Sequence, residues 1–460
     1  MRALVAGVAL AAAVGLGLPG AAGAAAPQQL DLSGAVRYAL AHDPAVLARR
    51  ATLAQNESTY ARDHAAEFPA VSGSLQNQVA KSNGNNGGSF TQFGLSQAQV
   101  FSQNTAQIGA TYNLYNGSLN QVQAQQAKRQ VEGARYDERR AEQQLAGDVA
   151  AAWYAAVQRR DALRLAEGDR AYQLQLLEAA RAQERVGRVA GVDVLRAQVN
   201  ELRSESNLTS ARADDANARE SLAQRIGAPP ETSFALPAEL PEPPLPAASA
   251  DSLVAAALGA RADVASARAQ VAVARLADAA IETDRRPQLQ LSGAFGNTES
   301  PTTQTIGLLG TSFGQIARPG FWQFGATESF TLPFIEYGAR RAAHRAARAQ
   351  IDAAQASLDS AESGVATDVR QALRGAQTAS ANLATAREAQ RLGAESARIA
   401  QVQYRNGLIS LTDATSAQQS ALQAATDLVA ARVTYLNALV RLRVAVGVAD
   451  PLAVVQPGAP

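Results

Sequence analysis

Two aspartates, Asp193 and Asp413, each follow a glycine by six residues and precede a glutamine by five, and the two settings lie 220 residues apart. The first reads Glu184-Arg185-Val186-Gly187-Arg188-Val189-Ala190-Gly191-Val192-Asp193, with Gln198 beyond it. The second reads Gln403-Tyr404-Arg405-Asn406-Gly407-Leu408-Ile409-Ser410-Leu411-Thr412-Asp413, with Gln418 beyond it. In both, a long helical pattern stops at the glycine and another starts at the aspartate. A carboxylate there can serve the backbone, because a helix start favours Asp and negative charge. Ser410-Leu411-Thr412-Asp413 resembles a capping box with Asp in the Glu position. If copies of the chain assembled with these turns facing inward, the carboxylates would also line a ring that favours cations. Both readings stand on the sequence. Other chemistry is poorly represented: there is no phosphate-binding loop, nucleophile elbow or His-based constellation. With no cysteine, and with His42, His64 and His344 scattered away from ligand spacing, neither a thiol nor a zinc site is expected. The expectation is a protein that is not an enzyme and carries no cofactor.

The elements that position these turns are long. Residues 117–186 have a helical composition without proline. At about 1.5 Å per residue such a run spans about 100 Å, and it must pack lengthwise on similar helices to be stable. A return helix follows over 193–226. After the Pro-rich linker 228–250 the pattern repeats, with a long helix over 336–405 and a return helix over 412–446. Each long helix is preceded by a charge-poor stretch. From Phe68 to Ala127 the only charge is Lys81, and ten of the eleven Phe lie in Phe68–Tyr115 or Pro287–Tyr337. Hairpins are expected over 68–116 and 287–335, the first with a turn-forming loop at Ser82–Ser89. Trp322, Phe324, Ala326, Phe330, Leu332 and Phe334 alternate with Gln323, Gly325, Thr327, Ser329 and Thr331, the signature of a transmembrane β-strand. Glu328 breaks the pattern; a bulge would re-aim it, or it lies near an interface. The expected domains are therefore a signal peptide at 1–24, a first repeat at 25–227, a second repeat at 251–447 and a C-terminal tail at 448–460. The 42 basic and 41 acidic residues nearly cancel, so no nucleic-acid partner is expected.

Four strands cannot close a barrel in lipid, and open edges are not tolerated there. Cyclic assembly is thus required, and three chains would supply twelve strands. The ordered set of features resembles the outer membrane efflux protein family, the TolC-like exit ducts. The resemblance rests on the duplication, the helix-to-strand junctions Phe68-Pro69 and Arg286-Pro287, the strand-to-helix exits at Leu114–Gly117 and Leu332–Gly338, and the paired tips.

The resemblance implies a mainly α fold with a small membrane β part: tandem-duplicated helical hairpins forming a periplasmic α-barrel, and two β-hairpins per chain entering a twelve-stranded trimeric barrel. It implies a homotrimer in the outer membrane of a Gram-negative bacterium, most of it periplasmic. Its partners would be outer-membrane lipid, a periplasmic membrane-fusion adaptor and an inner-membrane transporter of the RND or ABC type. By position, Asp193, Tyr404 and Asp413 match an aperture gate. Arg185, Val186, Gly187, Arg188, Val189, Arg405, Asn406, Gly407, Leu408 and Ile409 match adaptor-docking tips. Some members carry Arg where Ile409 stands, so Arg188 or Arg405 would have to supply the basic partner. Type I protein secretion, and more remotely a periplasmic coiled-coil scaffold, are the competing functions.

Overall fold

The computed structural model describes residues 30–83, 97–283, 285–299, 302–308, 311–313, 321–331 and 338–448. The proposed signal peptide, Phe334 and the tail beyond Val448 lie outside these. The described elements run α1 (Leu32–His42), α2 (Pro44–Ala65), β1 (Ala70–Asn83), β2 (Gln97–Asn116), α3 (Leu119–Arg185), α4 (Gly191–Ile226), α5 (Ala250–Ala260), α6 (Ala262–Thr283), β3 (Gln288–Glu299), β4 (Thr302–Leu308), β5 (Thr311–Phe313), β6 (Phe321–Thr331), α7 (Ala339–Arg405) and α8 (Leu411–Val446). Pro44 occupies the first turn of α2, where its missing N–H costs nothing, and Asp43 caps the turn by accepting from Ala45 N and Val46 N.

The chain divides into two compact units. One comprises residues 40–148, 242–388 and 434–460, and the other residues 1–39, 149–241 and 389–433. The first holds the sheet. β1 and β2 form an antiparallel hairpin from Ala70↔Thr111 to Asn83↔Ala98, so strand continues into the Ser82-Asn83 stretch read as loop. β2 then pairs with β3, and Gln97↔Ile306 to Phe101↔Thr302 continues that register onto β4 without a shift. Likewise β3 pairs with β6 and β4 with β5 in one continuous register. The six segments therefore lie along four lines, with β1 and the β6/β5 line at the edges.

The alternation separates the two faces. Val71, Leu75, Ile108, Leu291, Phe295 and Phe330 are exposed on one, with relative accessibilities of 42–89 %. The other carries Ser72, Ser74, Gln107, Thr111, Gln290, Ser292, Thr327 and Ser329. Among strand residues whose side chains are described, Glu328 alone is charged. It pairs with Leu291, and the register from Gln288↔Thr331 to Thr298↔Phe321 has no bulge. The bulge explanation for Glu328 therefore fails, and the carboxylate stays on the apolar face three residues from the strand end. Trp322 and Phe324 sit in β6 opposite Asn297 and Phe295.

Helix packing in this unit is small-residue packing. Ala257, Val264, Ala267 and Val271 of α5 and α6 bury against Leu358, Val365 and Val369 of α7. At the α5–α6 joint Arg261 bonds Asp263 in a bidentate pair at 2.6 and 2.9 Å and reaches Asp368 at 3.0 Å. In the other unit Phe234, from the Pro-rich linker, packs edge-on against Trp153 at 6.0 Å and bridges to Leu30. Arg160 donates to the carbonyls of Leu236 and Pro237, at 3.1 and 2.6 Å. Trp153 is thus a packing residue, and the linker is laid down by specific contacts.

Candidate functional site

The second unit contains both tips. Each long helix ends in the same cap. Gly187 and Gly407 have φ of +72° and +73°, the left-handed conformation that glycine adopts without penalty. Arg188 N bonds Gln183 O while Gly187 N bonds Glu184 O; Leu408 N bonds Gln403 O while Gly407 N bonds Tyr404 O, all at 2.8–2.9 Å. These paired bonds satisfy carbonyls that a helix end would leave open.

The two aspartates then part ways. Asp413 sits in a complete capping box: Ser410 Oγ donates to Asp413 Oδ2 at 2.7 Å, Asp413 N donates to Ser410 Oγ at 3.1 Å, and Ser410 N donates to Asp413 Oδ2 at 3.3 Å. At the first tip the cap position is Ala190, which has no side-chain cap bond. Asp193 lies in the first turn and meets Arg196 at 3.6 Å. The capping reading holds for Asp413 and gives Asp193 only the favourable field of the helix N-terminus.

Beneath the tips, Leu176, Leu177, Ala180, Ala197, Tyr404, Leu411 and Ala414 form one buried cluster. Ile409 packs against it and Val189 is half-buried, whereas Val186 and Leu408 are 68 % and 72 % exposed. Of the four apolar residues in the expected docking tips, Val186 and Leu408 are exposed and Val189 and Ile409 are half-buried. The turn returns the chain, and Ile409, two residues past Gly407, folds under it onto the helices. Ile409 leaves no position there for a basic partner. Arg405 takes a tie instead, donating through Nη2 to Gln175 Oε1 at 2.9 Å, while Gln401 Nε2 donates to the same oxygen at 2.8 Å. Arg185, Arg188 and Asn406 are exposed.

Glutamines carry the contacts that the sequence reading missed. Gln183, only 7 % exposed, donates to the carbonyl oxygens of Tyr404 at 2.7 Å and Arg405 at 3.5 Å, capping the end of α7 from α3. Gln173, Leu176, Ala180 and Gln183 follow a heptad seam, and a polar residue in such a seam sets register at some cost in stability. That placement was legible as a period; the partner 221 positions away was not. Asp169 Oδ1 accepts from Gln418 at 3.4 Å, adding a weak third tie. Tyr404 is 1 % exposed, and its hydroxyl has no hydrogen-bond partner among the described residues. Burial, and then the Asp193 carboxylate, push its phenol above the ordinary range. Tyr172 is raised for the same first reason, with Arg405 opposing and Asp169 adding to the shift. Tyr404 thus grips through its ring and its carbonyl. Tyr404→Phe is expected to leave thermal stability equal or up to ~1 kcal/mol higher, because it removes an unpaired buried hydroxyl. A clear drop in the midpoint of thermal unfolding would show that the hydroxyl holds the tip.

Residues 35–228 and 253–448 match the profile of the outer membrane efflux proteins. The chain belongs to this family. No curated protein matches the sequence. Among solved structures, the outer-membrane channel OprN superposes with a TM-score of 0.69 at 18 % identity, over 90 % of this chain and 89 % of that one. The CmeC outer membrane channel of Campylobacter jejuni gives 0.70 at 17 %, over 91 % and 86 %. The open state of the MtrE outer membrane channel of Neisseria gonorrhoeae gives 0.69 at 20 %, over 91 % and 89 %. At these identities the likeness is one of fold, and the efflux-protein fold is common to all four.

Proposed function

We propose that this efflux protein is a homotrimeric exit duct that passively conducts substrates from a periplasmic adaptor and an inner-membrane transporter to the exterior. The observation that carries the reading is the two-faced sheet, apolar on one side and uncharged polar on the other, with β1 and β6 each paired on one side only among the described residues. Strands of 11–20 residues at its edges and centre are long enough to span, since about 9–11 suffice. No described helix is long and apolar enough to cross a membrane. Closure of the open edges by neighbouring copies is what lipid demands.

The helices support the same closure. One side of α4 is buried along Ala197, Ser204, Leu208 and Leu222. Its opposite side exposes Val192, Leu195, Val199 and Leu202, at 48–62 %, in heptad spacing. A helix with two seams has two neighbours, as in the wall of a helical barrel. In this reading Asp193, Tyr404 and Asp413 belong to the aperture, and Trp322, Phe324, Phe330 and Phe334 to the lipid-facing strands. Arg185–Val189 and Arg405–Ile409 form the docking tips, with Val186 and Leu408 as their apolar contact.

The membrane assignment is tested by extraction: the protein should resist carbonate and high salt, require detergent, and run in detergent with the mass of three chains. Release by carbonate alone would leave only a coiled-coil scaffold. The docking assignment is tested by a photocrosslinker at Leu408 in cells, expected to capture a periplasmic adaptor during active transport. Failure to capture any periplasmic protein would remove the docking role from this tip.

A further inference from the structure

Within one chain the first repeat holds the second through side chains whose repeat-equivalents are left without those partners. Gln183 of α3 caps Tyr404 O and Arg405 O, yet its equivalent Gln403, 220 residues on, has no side-chain hydrogen bond among the described residues. Gln175 of α3 accepts from Gln401 and Arg405. Its equivalent is Glu395, and the equivalents of the two donors are Arg181 and Arg185. Where the intrachain site has an amide facing an amide and a guanidinium, the equivalent set is therefore one carboxylate and two guanidiniums. Arg181 and Arg185 are exposed and meet no carboxylate among the described residues. Glu395 is exposed and is held by Arg398 of its own helix, at 2.7 and 2.9 Å. The apolar flank agrees. Tyr172 and Ala179 pack onto the buried tip cluster, whereas their equivalents Leu392 and Ile399 stand 54 % and 43 % exposed.

A duplicated chain that closes a ring uses each contact twice, once between its own repeats and once between neighbouring chains, because a head-to-tail interface recurs at every step of the rotation. Resting on the trimeric reading, we propose that the protomer boundary at the narrow end is a copy of the intrachain joint. Glu395 of one protomer pairs with Arg181 and Arg185 of the next, and Gln403 caps that neighbour's Glu184 and Arg185 carbonyls. The two kinds of joint then differ in strength and in salt sensitivity. The intrachain joint is made by the buried Gln183 amide and by exposed bonds to the neutral Gln175 amide, whereas the boundary pairs exposed opposite charges, which salt screens. The same mapping sets Asp413 near Glu184, the equivalent of the Asp193–Tyr404 neighbourhood, which places one repulsive pair at the boundary. Opening of the tip therefore starts between protomers, and ionic strength biases it.

The chain has no cysteine, so pairs can be introduced cleanly. Glu395→Cys with Arg185→Cys is expected to give a covalent dimer and trimer ladder under mild oxidation. Gln175→Cys with Gln401→Cys should close within one chain and run as a monomer. Mass in detergent reports the trimer independently. A trimer whose Glu395→Cys/Arg185→Cys pair stays monomeric on the gel overturns the boundary assignment and leaves the duct standing; a monomeric protein overturns both. As a second reading, Glu395→Arg should shift the closed-to-open ratio roughly two- to five-fold per rung toward open, the range for exposed ion pairs. Adding Arg181→Glu and Arg185→Glu should bring it back. Absence of rescue by the reversed charges, with trimers intact, also overturns the proposal.

Discussion

Gly117→Ala is expected to deplete the assembled protein from the membrane fraction and to cost about 3–5 kcal/mol of stability. Gly117 joins β2 to α3 with φ of +67°, and Ser118 follows at +73°. A Cβ on Gly117 would stand 2.4 Å from Thr283 O and 2.8 Å from Arg286 Cβ. The first of these is backbone at the end of α6, so it cannot yield as a flexible side chain would. Arg286 Nη1 also bonds Gly117 O at 3.1 Å, so the joint of the first repeat is locked onto the entry to the second hairpin. The second repeat has Gly338 in place of Ser118, with φ of +85° and open space around its missing Cβ. Gly338→Ala should therefore lose only the left-handed penalty, about 1–2 kcal/mol, and Ser118→Gly should gain a comparable amount. The three variants are compared by thermal loss of β-sheet circular dichroism and by yield in the membrane fraction. Equal effects of Gly117→Ala and Gly338→Ala would show that the close approach at Gly117 is unimportant.

Asp193→Ala combined with Asp413→Ala is expected to raise the conductance of the protein in planar bilayers and to bring its cation preference toward unity. In the proposed trimer the pair would remove six carboxylates from the aperture, and rings of carboxylates are what favour cations. The capping box complicates the second site, because losing it costs about 1 kcal/mol and could fray the start of α8. Ser410→Ala separates the two effects: it removes the two bonds made by Ser410 Oγ and leaves the charge. It should lower thermal stability without changing selectivity. Asp193→Ala alone should do the reverse, since its cap position is Ala190 and its one ion pair among the described residues is the long contact to Arg196. Unchanged conductance and selectivity in the double variant would sink the aperture assignment of both residues.

Much of this was present in local pattern. Alternation of period two marks both faces of the sheet at Val71, Ile108 and Phe330, and it also flags Glu328 as an anomaly, which the unbroken β3–β6 register sustains. Heptad spacing marks the seams of α3 and α4, and glycine followed by Asp marks both tips. The glutamines were harder to read. Gln183 and Gln403 occupy the same repeat position, yet one is buried against a carbonyl pair on α7 and the other is half-exposed. Likewise Ala190 against Ser410 decides which aspartate belongs to a box, and a single hydroxyl makes that difference.

The sequence by itself determined the duplication, the long helices, the strands and the positions of the turns, because these follow from periods and residue types that act within a few positions. Tertiary structure alone decided that Ile409 turns inward, that Arg405 binds Gln175 rather than a carboxylate, and that Gln183 holds the end of α7. These depend on which side chain another helix brings alongside. Similar local patterns at 183 and 403 cannot specify that, because the surroundings differ: Gln183 has the end of α7 beside it, and Gln403 has no such side-chain bond among the described residues.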